Sequence, residues 1–265
     1  MEIVKVQTAD QVAVVTMANP PANLFTGELA ARMLEAVRTA ESDGARAMVL
    51  RGQGPAFSGG VDVNLFRGTS PTEARILLGN AFELISAIEQ APFPIIAAVH
   101  GLCLAAGLEI ALACDLIIAA EGTQFAQVEA KIGAATFLGG VYRLAERAGT
   151  ARAFEITFGG EFFDAALFER WNIINRVVPA ATLEDEAWQW AGKLAAGPTA
   201  AHATTKKLAY RAADHGVRDA DRYLLEVAPP LFATSDLQHA VELMLTNGAR
   251  KFMANHDQLM SFQGR

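Results

Sequence analysis

Residues 94–115, PIIAAVHGLCLAAGLEIALACD, carry the pattern best suited to chemistry. The run from Pro94 to Val99 is apolar and β-leaning, which reads as a buried strand. It breaks at His100-Gly101, passes Leu104-Ala105-Ala106-Gly107 and resumes as an apolar helix to Cys114. A strand, a tight turn and a helix start aim unpaired backbone N–H groups and the positive end of a helix dipole at one point. Such a point binds an anion, or an oxygen that becomes anionic during a reaction. Glu109 is the one carboxylate inside this helix, and Glu129 follows in the Gly/Ala-rich stretch QVEAKIGAATFLGG. The same residues also fit a buried strand–turn–helix whose lone Glu makes a polar contact or reaches solvent, with Glu129 capping the next helix.

A second stretch, RGQGPAFSGGVD at 51–62, places four glycines around Ser58. No Gly-Lys-Ser/Thr closes it as a phosphate loop. It lacks the dinucleotide fingerprint, and it has no GxSxG nucleophile elbow. Ser58 therefore reads as a turn residue. Asp62 and Asp115 read as turn or cap residues, and Trp171, Trp188 and Trp190 as packing residues. The five histidines form no HExxH or other ligand cluster, so no metal is expected. Cys103 and Cys114 lack CxxC, zinc or haem spacing and sit in apolar surroundings, as reduced buried thiols do.

The elements that must hold these residues follow from the apolar periodicity. Strands are predicted at Ile3–Val6, Val12–Met17, Ala47–Leu50, Leu116–Ala120 and Gln124–Ala126. Helices are predicted from the Thr26 cap through Ala40, over Pro71–Glu89 and from about Gly139 to Arg147. Strands separated by helices favour a largely parallel α/β core to about residue 180. From Leu183 onward the pattern is helical: Leu183–Ala196, Thr199–Ala213, Arg218–Leu231 and Asp236–Phe252. We accordingly divide the chain into a core at 1–182 that carries the site and a helical region at 183–265 that covers it or makes subunit contacts.

The 265 residues are 52% hydrophobic and 19% charged, enough to bury a substantial core. A net charge of -7 argues against a general nucleic-acid or anionic-membrane surface. The N-terminus has no charged-then-apolar signal pattern, and Glu109 and Asp115 interrupt the best candidate membrane span. A cytoplasmic protein is expected.

Three motifs in order, RGQGPAFSGGVDV, HGLCLAAGLEIALACDLIIA and QFAQVEAKIG, resemble the crotonase, or enoyl-CoA hydratase/isomerase, superfamily. The similarity continues through GGVYRLAERAG and WNIINRVVPAATLEDEAWQWAGKLAAGPTAA. The resemblance implies an α/β fold, a crotonase-like spiral of ββα units with a helical C-terminal region. It also implies a homotrimer or dimer of trimers and an acyl-CoA thioester substrate. Coenzyme A then belongs to the substrate, and no separate cofactor is expected.

By position, the family's oxyanion hole falls on the backbone N–H groups of Val61 and Ala106. Its two acid/base glutamates match Glu109 and Glu129. The resemblance assigns Glu109 to activating water and Glu129 to delivering a proton at the α-carbon in the hydration of trans-2-enoyl-CoA to 3-hydroxyacyl-CoA. Gly59 and Gly60 match the CoA-binding loop. Two departures stand out. Thr136-Phe137 replaces the hydratases' Pro-Gly step, so Phe137 can narrow the acyl pocket. Asn247 replaces a C-terminal lysine that meets a CoA phosphate, for which Arg250 or Lys251 can substitute. Alternatives are another reaction of the family, whether isomerase, lyase or hydrolase, and a non-catalytic binding protein on the same fold, including one that binds RNA.

Overall fold

The computed structural model describes residues 2–264. Among the described residues there are nine strands: β1 (Val4–Ala9), β2 (Val12–Met17), β3 (Ala47–Gly52), β4 (Ile95–Val99), β5 (Leu102–Leu104), β6 (Leu116–Ala120), β7 (Gln124–Ala126), β8 (Phe163–Asp164) and β9 (Arg176–Val178). The first six helices are α1 (Gly27–Ser42), α2 (Pro71–Gln90), α3 (Ala106–Ala113), α4 (Gly140–Ala148), α5 (Thr150–Gly159) and α6 (Ala165–Arg170). The last six are α7 (Leu183–Ala195), α8 (Thr199–His215), α9 (Val217–Val227), α10 (Ser235–Asn247), α11 (Ala249–Ala254) and α12 (His256–Leu259).

Six strands form one sheet in the order β1-β2-β3-β4-β6-β9, and β5-β7-β8 form a second. Only the β1–β2 pair of the larger sheet is antiparallel. It is closed by Asp10 and Gln11, both at positive φ, as a two-residue hairpin turn demands. The chain gives β4 to the large sheet and β5 to the small one before entering α3. It repeats the alternation with β6 and β7. This is the ββα spiral expected from the resemblance.

Strand alternation sorts the core into two layers. Val15, Met17, Leu50, Ala97 and Val99 face α1, α2 and α3, whereas Val12, Val49, Ile96, Ala98 and Ile118 face the opposite side. That second layer is covered by Leu183, Ala187, Ala191 and Ala195 of α7. The helical run that begins at 183 therefore starts by sealing the back of the core sheet.

Several local expectations need correction. Leu102–Leu104 is a strand of the small sheet rather than part of a small-residue turn, because Ser58 and Gln124 backbones flank and pair with it. The helices predicted at Arg218–Leu231 and Asp236–Phe252 each stop early. Pro229-Pro230 turns the first into a 3-10 segment, and Gly248, at φ +79, divides the second. Asp115 accepts the Ile95 N–H at 2.8 Å and also pairs with Lys206 of α8 at 2.8 Å, so it joins two regions instead of capping a turn.

Candidate active site

The site forms where the two sheets part. Ala105 sits immediately before α3 at φ +46, ψ −122, a conformation that strains a residue with a Cβ. Its N–H donates to Ala126 of β7, which fixes the strained peptide in place. Ala106, the first residue of α3, follows this peptide directly. Gly107 makes the close helix packing possible: a Cβ there would lie 2.5 Å from that of Ser58. Ser58 donates to the Asn23 carbonyl at 2.8 Å and accepts from Gly60 N–H, so it ties loops together, as expected of a turn residue.

Across from α3, the Phe25 backbone bridges to Val61, with Phe25 N–H bound to Gly60 O and Asp62 N–H bound to Phe25 O. These bonds leave the N–H of Val61 between them. Among the described residues, neither Val61 N–H nor Ala106 N–H donates to a protein acceptor. Both residues line one cavity of about 40 Å³. Glu109 and Glu129 line it too, with apolar walls that include Phe25, Phe66, Leu77 and Phe137. Phe66 and Phe137 meet edge to face at 5.8 Å between ring centres and form its outer wall.

Both carboxylates are buried. Glu109 is 2% exposed, and its Oε1 accepts the N–H groups of Leu138 and Gly140 at 2.8 Å each. Burial nevertheless pushes its pKa up to about 7, with Glu129 adding to the rise and the two N–H donors opposing it. Glu129, 7% exposed, is likewise pushed up to about 7 by burial. With its amide nitrogen turned toward Glu129, Gln127 donates to both carboxylate oxygens at 2.8 and 3.0 Å. Two carboxyl groups that titrate near neutrality in one pocket can divide the labour, one accepting a proton while the other supplies one.

The fold thus brings Glu109, Glu129, Val61, Ala106 and Phe137 to a single cavity. Gly59 and Gly60 adjoin Val61 in the chain but do not line it, while Arg250 and Lys251 are exposed on α11, away from it. Asp62 caps a short 3-10 turn through Asn64 N–H, as expected. Thr136 has a structural task, because its hydroxyl accepts Val141 N–H and caps the start of α4. Among the described residues, no group of His, Cys, Asp and Glu is arranged to hold a metal. No helix there is long and apolar enough to cross a membrane.

Sequence reasoning missed Gln127, Glu89 and Arg143. Arg143 carried a signal: a cation in the first turn of a helix opposes the helix dipole and implies a specific partner. Gln127 carried little, because an uncharged residue just after a short strand shows nothing of what it faces.

A family model described as enoyl-CoA hydratase/isomerase matches residues 7–242. A probable enoyl-CoA hydratase of Rhizobium meliloti (strain 1021) is 30% identical over 255 residues, spanning 95% of this chain and 98% of the relative. A 1,2-epoxyphenylacetyl-CoA isomerase of Escherichia coli (strain K12) is 33% identical over 206 residues, or 75% of this chain and 78% of the relative. The crystal structure of enoyl-CoA hydratase subunit I from Geobacillus kaustophilus HTA426 superposes with a TM-score of 0.90 at 28% identity. It covers 100% of this chain and 99% of its own. The ordered motifs, the two-sheet spiral and these matches agree: the chain belongs to the enoyl-CoA hydratase/isomerase family.

Proposed function

We propose that the protein hydrates trans-2-enoyl-CoA thioesters to 3-hydroxyacyl-CoA. The observation that carries this reading is that one apolar cavity is lined by two carboxyl groups, each pushed up to about 7, and by two residues whose N–H groups have no protein acceptor among the described residues. In the proposed reaction the thioester oxygen accepts from Val61 and Ala106 N–H. One carboxylate, assigned to Glu109, takes a proton from water as its oxygen bonds to the β-carbon. The electron pair moves through the α-carbon onto the thioester oxygen, where the two N–H groups stabilise it. Glu129 then delivers its proton to the α-carbon, and the proton that Glu109 took from water passes to Glu129, which restores both groups. Mutual repulsion disfavours ionising both groups at once, which suits a cycle needing one base and one acid.

Phe66 and Phe137, which meet edge to face and line the cavity with the two carboxyl groups, are side chains that an acyl group would pass. A trimer or pair of trimers is the assembly that goes with this reading. Leu225, Phe232 and Leu245, exposed on the C-terminal helices and the turn between them, offer apolar surface for it.

Incubation with crotonyl-CoA tests the proposal through loss of the conjugated thioester absorbance. Glu109→Gln and Glu129→Gln should each lower kcat by about 100-fold or more while CoA binding persists. Wild-type rates in either variant would remove the acid/base assignment. Failure of the native protein to hydrate, with turnover of a 3-enoyl-CoA, would replace hydration by isomerisation.

A further inference from the structure

The carboxylate of Glu109 is held by a loop that is itself held from behind. Arg143, 8% exposed in the first turn of α4, extends its guanidinium under the Leu138-Gly139-Gly140 backbone. Its Nη1 donates to Leu138 O at 2.9 Å and lies 3.4 Å from Gly139 O. The Gly139 carbonyl and the Gly140 N–H belong to one planar trans peptide, so they point in opposite directions. The cation therefore sits at one end of the peptide and Glu109 Oε1, 2.8 Å from Gly140 N, at the other. A donor on the carbonyl polarises the N–H and strengthens the bond it makes.

The guanidinium is anchored in turn. Glu89, near the end of α2, accepts from Arg143 Nε at 2.7 Å and lies 2.6 Å from Nη2. A planar fork fixed on one carboxylate leaves its remaining nitrogen aimed at a defined point, which a lysine cannot reproduce. Glycine is required on both sides of this arrangement. A Cβ on Gly139, which lies at φ +87, would overlap the Arg143 guanidinium and the Tyr142 hydroxyl. One on Gly140 would overlap the Gln127 amide and come within 3.0 Å of Glu109 Cγ.

We infer that Arg143, anchored by Glu89, is a positioning residue that acts through the Gly139–Gly140 peptide to set the orientation and ionisation of Glu109. Its link to turnover rests on the hydration reading; its link to the carboxylate does not. The charged groups acting on Glu109 from the elements around it are Glu129, which favours the protonated form, and Arg143, which favours the ionised form. Removing Arg143 shifts that balance toward protonation and loosens the loop.

The experiment compares the native protein with Arg143→Gln, Arg143→Lys and Glu89→Gln. The protonated-carboxyl C=O band of Glu109, assigned as the band lost in Glu109→Gln, is followed by infrared spectroscopy against pH without ligand. In Arg143→Gln the band should persist to higher pH, corresponding to about a tenfold weaker acid. Glu89→Gln should move it less, and Arg143→Lys should recover part of the shift. With crotonyl-CoA, kcat should fall by about 10- to 100-fold in Arg143→Gln, with KM within about threefold and the ascending limb of the pH profile displaced upward. If Arg143→Gln does not fold because the half-buried Glu89 is left without its cation, Glu89→Gln/Arg143→Gln removes that charge and gives the same readout. A Glu109 titration unchanged in the folded variant overturns the inference, whatever the rates. Absence of hydration by the native protein overturns the proposed reaction instead, and the infrared midpoint still decides the inference.

Discussion

At Glu109 two backbone hydrogen bonds recover less than burial costs. Each N–H bond favours the ionised form, yet the pKa remains at about 7 because the side chain has lost its water and faces Glu129. The folded protein holds this proton more tightly than the unfolded chain does, whose glutamates titrate near the ordinary 4.5. Folding therefore takes up protons between those two values. The stabilising contribution is complete below about pH 4.5 and is lost as pH rises through about 7. Glu109→Gln retains an oxygen that can accept from Leu138 and Gly140 without bearing charge. It should raise stability by on the order of 2 kcal/mol at pH 8 and leave it nearly unchanged at pH 4, as urea unfolding at the two pH values would show. On the proposed reaction that gain would come with loss of hydration, the exchange expected when a destabilising group is kept for its reactivity.

Among the elements, α2 and α4 meet through the Glu89–Arg143 ion pair, and glycine has opposite meanings in them. Gly140 opens α4 where its N–H reaches Glu109 and where a side chain has no room. Gly140→Ala forces Gln127 or Glu109 to move, so a loss of about 1–3 kcal/mol is expected together with reduced turnover. Gly79 lies exposed within α2, with no atom within 4 Å of where its Cβ would stand. Gly79→Ala should stabilise the protein by about 0.5–1 kcal/mol, because alanine loses less backbone freedom in a helix. Thermal unfolding of the two variants side by side checks both signs. The helix that contains Gly79 is otherwise well specified, with Pro71 at its start and a reciprocal Ser70–Glu73 capping box.

Across the whole molecule, two buried charges bind the end of the chain to its beginning. Arg46, just before β3, donates to Gln11, to Thr199 at the start of α8, to Gly197 and to the Phe262 carbonyl. Asp236 of α10, 5% exposed, accepts the N–H groups of Gln263 and Gly264 at 2.7 Å each. The irregular stretch Phe262–Gly264 is thus held by Arg46 and Asp236. Asp236→Ala strips the acceptors from two tail N–H groups and should lower stability by about 1–3 kcal/mol. Asp236→Asn, which keeps one oxygen acceptor, should lose less. Urea midpoints of the two variants measure the difference. Lys206 makes a parallel link by joining α8 to Asp115 and to the Ile88 carbonyl.

Apolar alternation along Val12–Met17 and Ile95–Val99, and the caps at Thr26 and Ser70, act over a few neighbouring residues. The chain alone therefore sufficed to locate most strands and long helices. The ordered motifs around Val61, Ala106, Glu109 and Glu129 likewise pointed to the fold and to these residues before any contact was known. Of the three-residue strands, Gln124–Ala126 was legible while Leu102–Leu104 and Arg176–Val178 were not, since so short a run has little periodicity and owes its form to the strands beside it. What tertiary structure decided was electrostatic. How far water is excluded from Glu109 and Glu129, and which donors replace it, depends on α3, the residues after β7 and the turn from Leu138 to Arg143 coming together in space. Desolvation is a property of the space around a group, and no spacing along a chain encodes it locally.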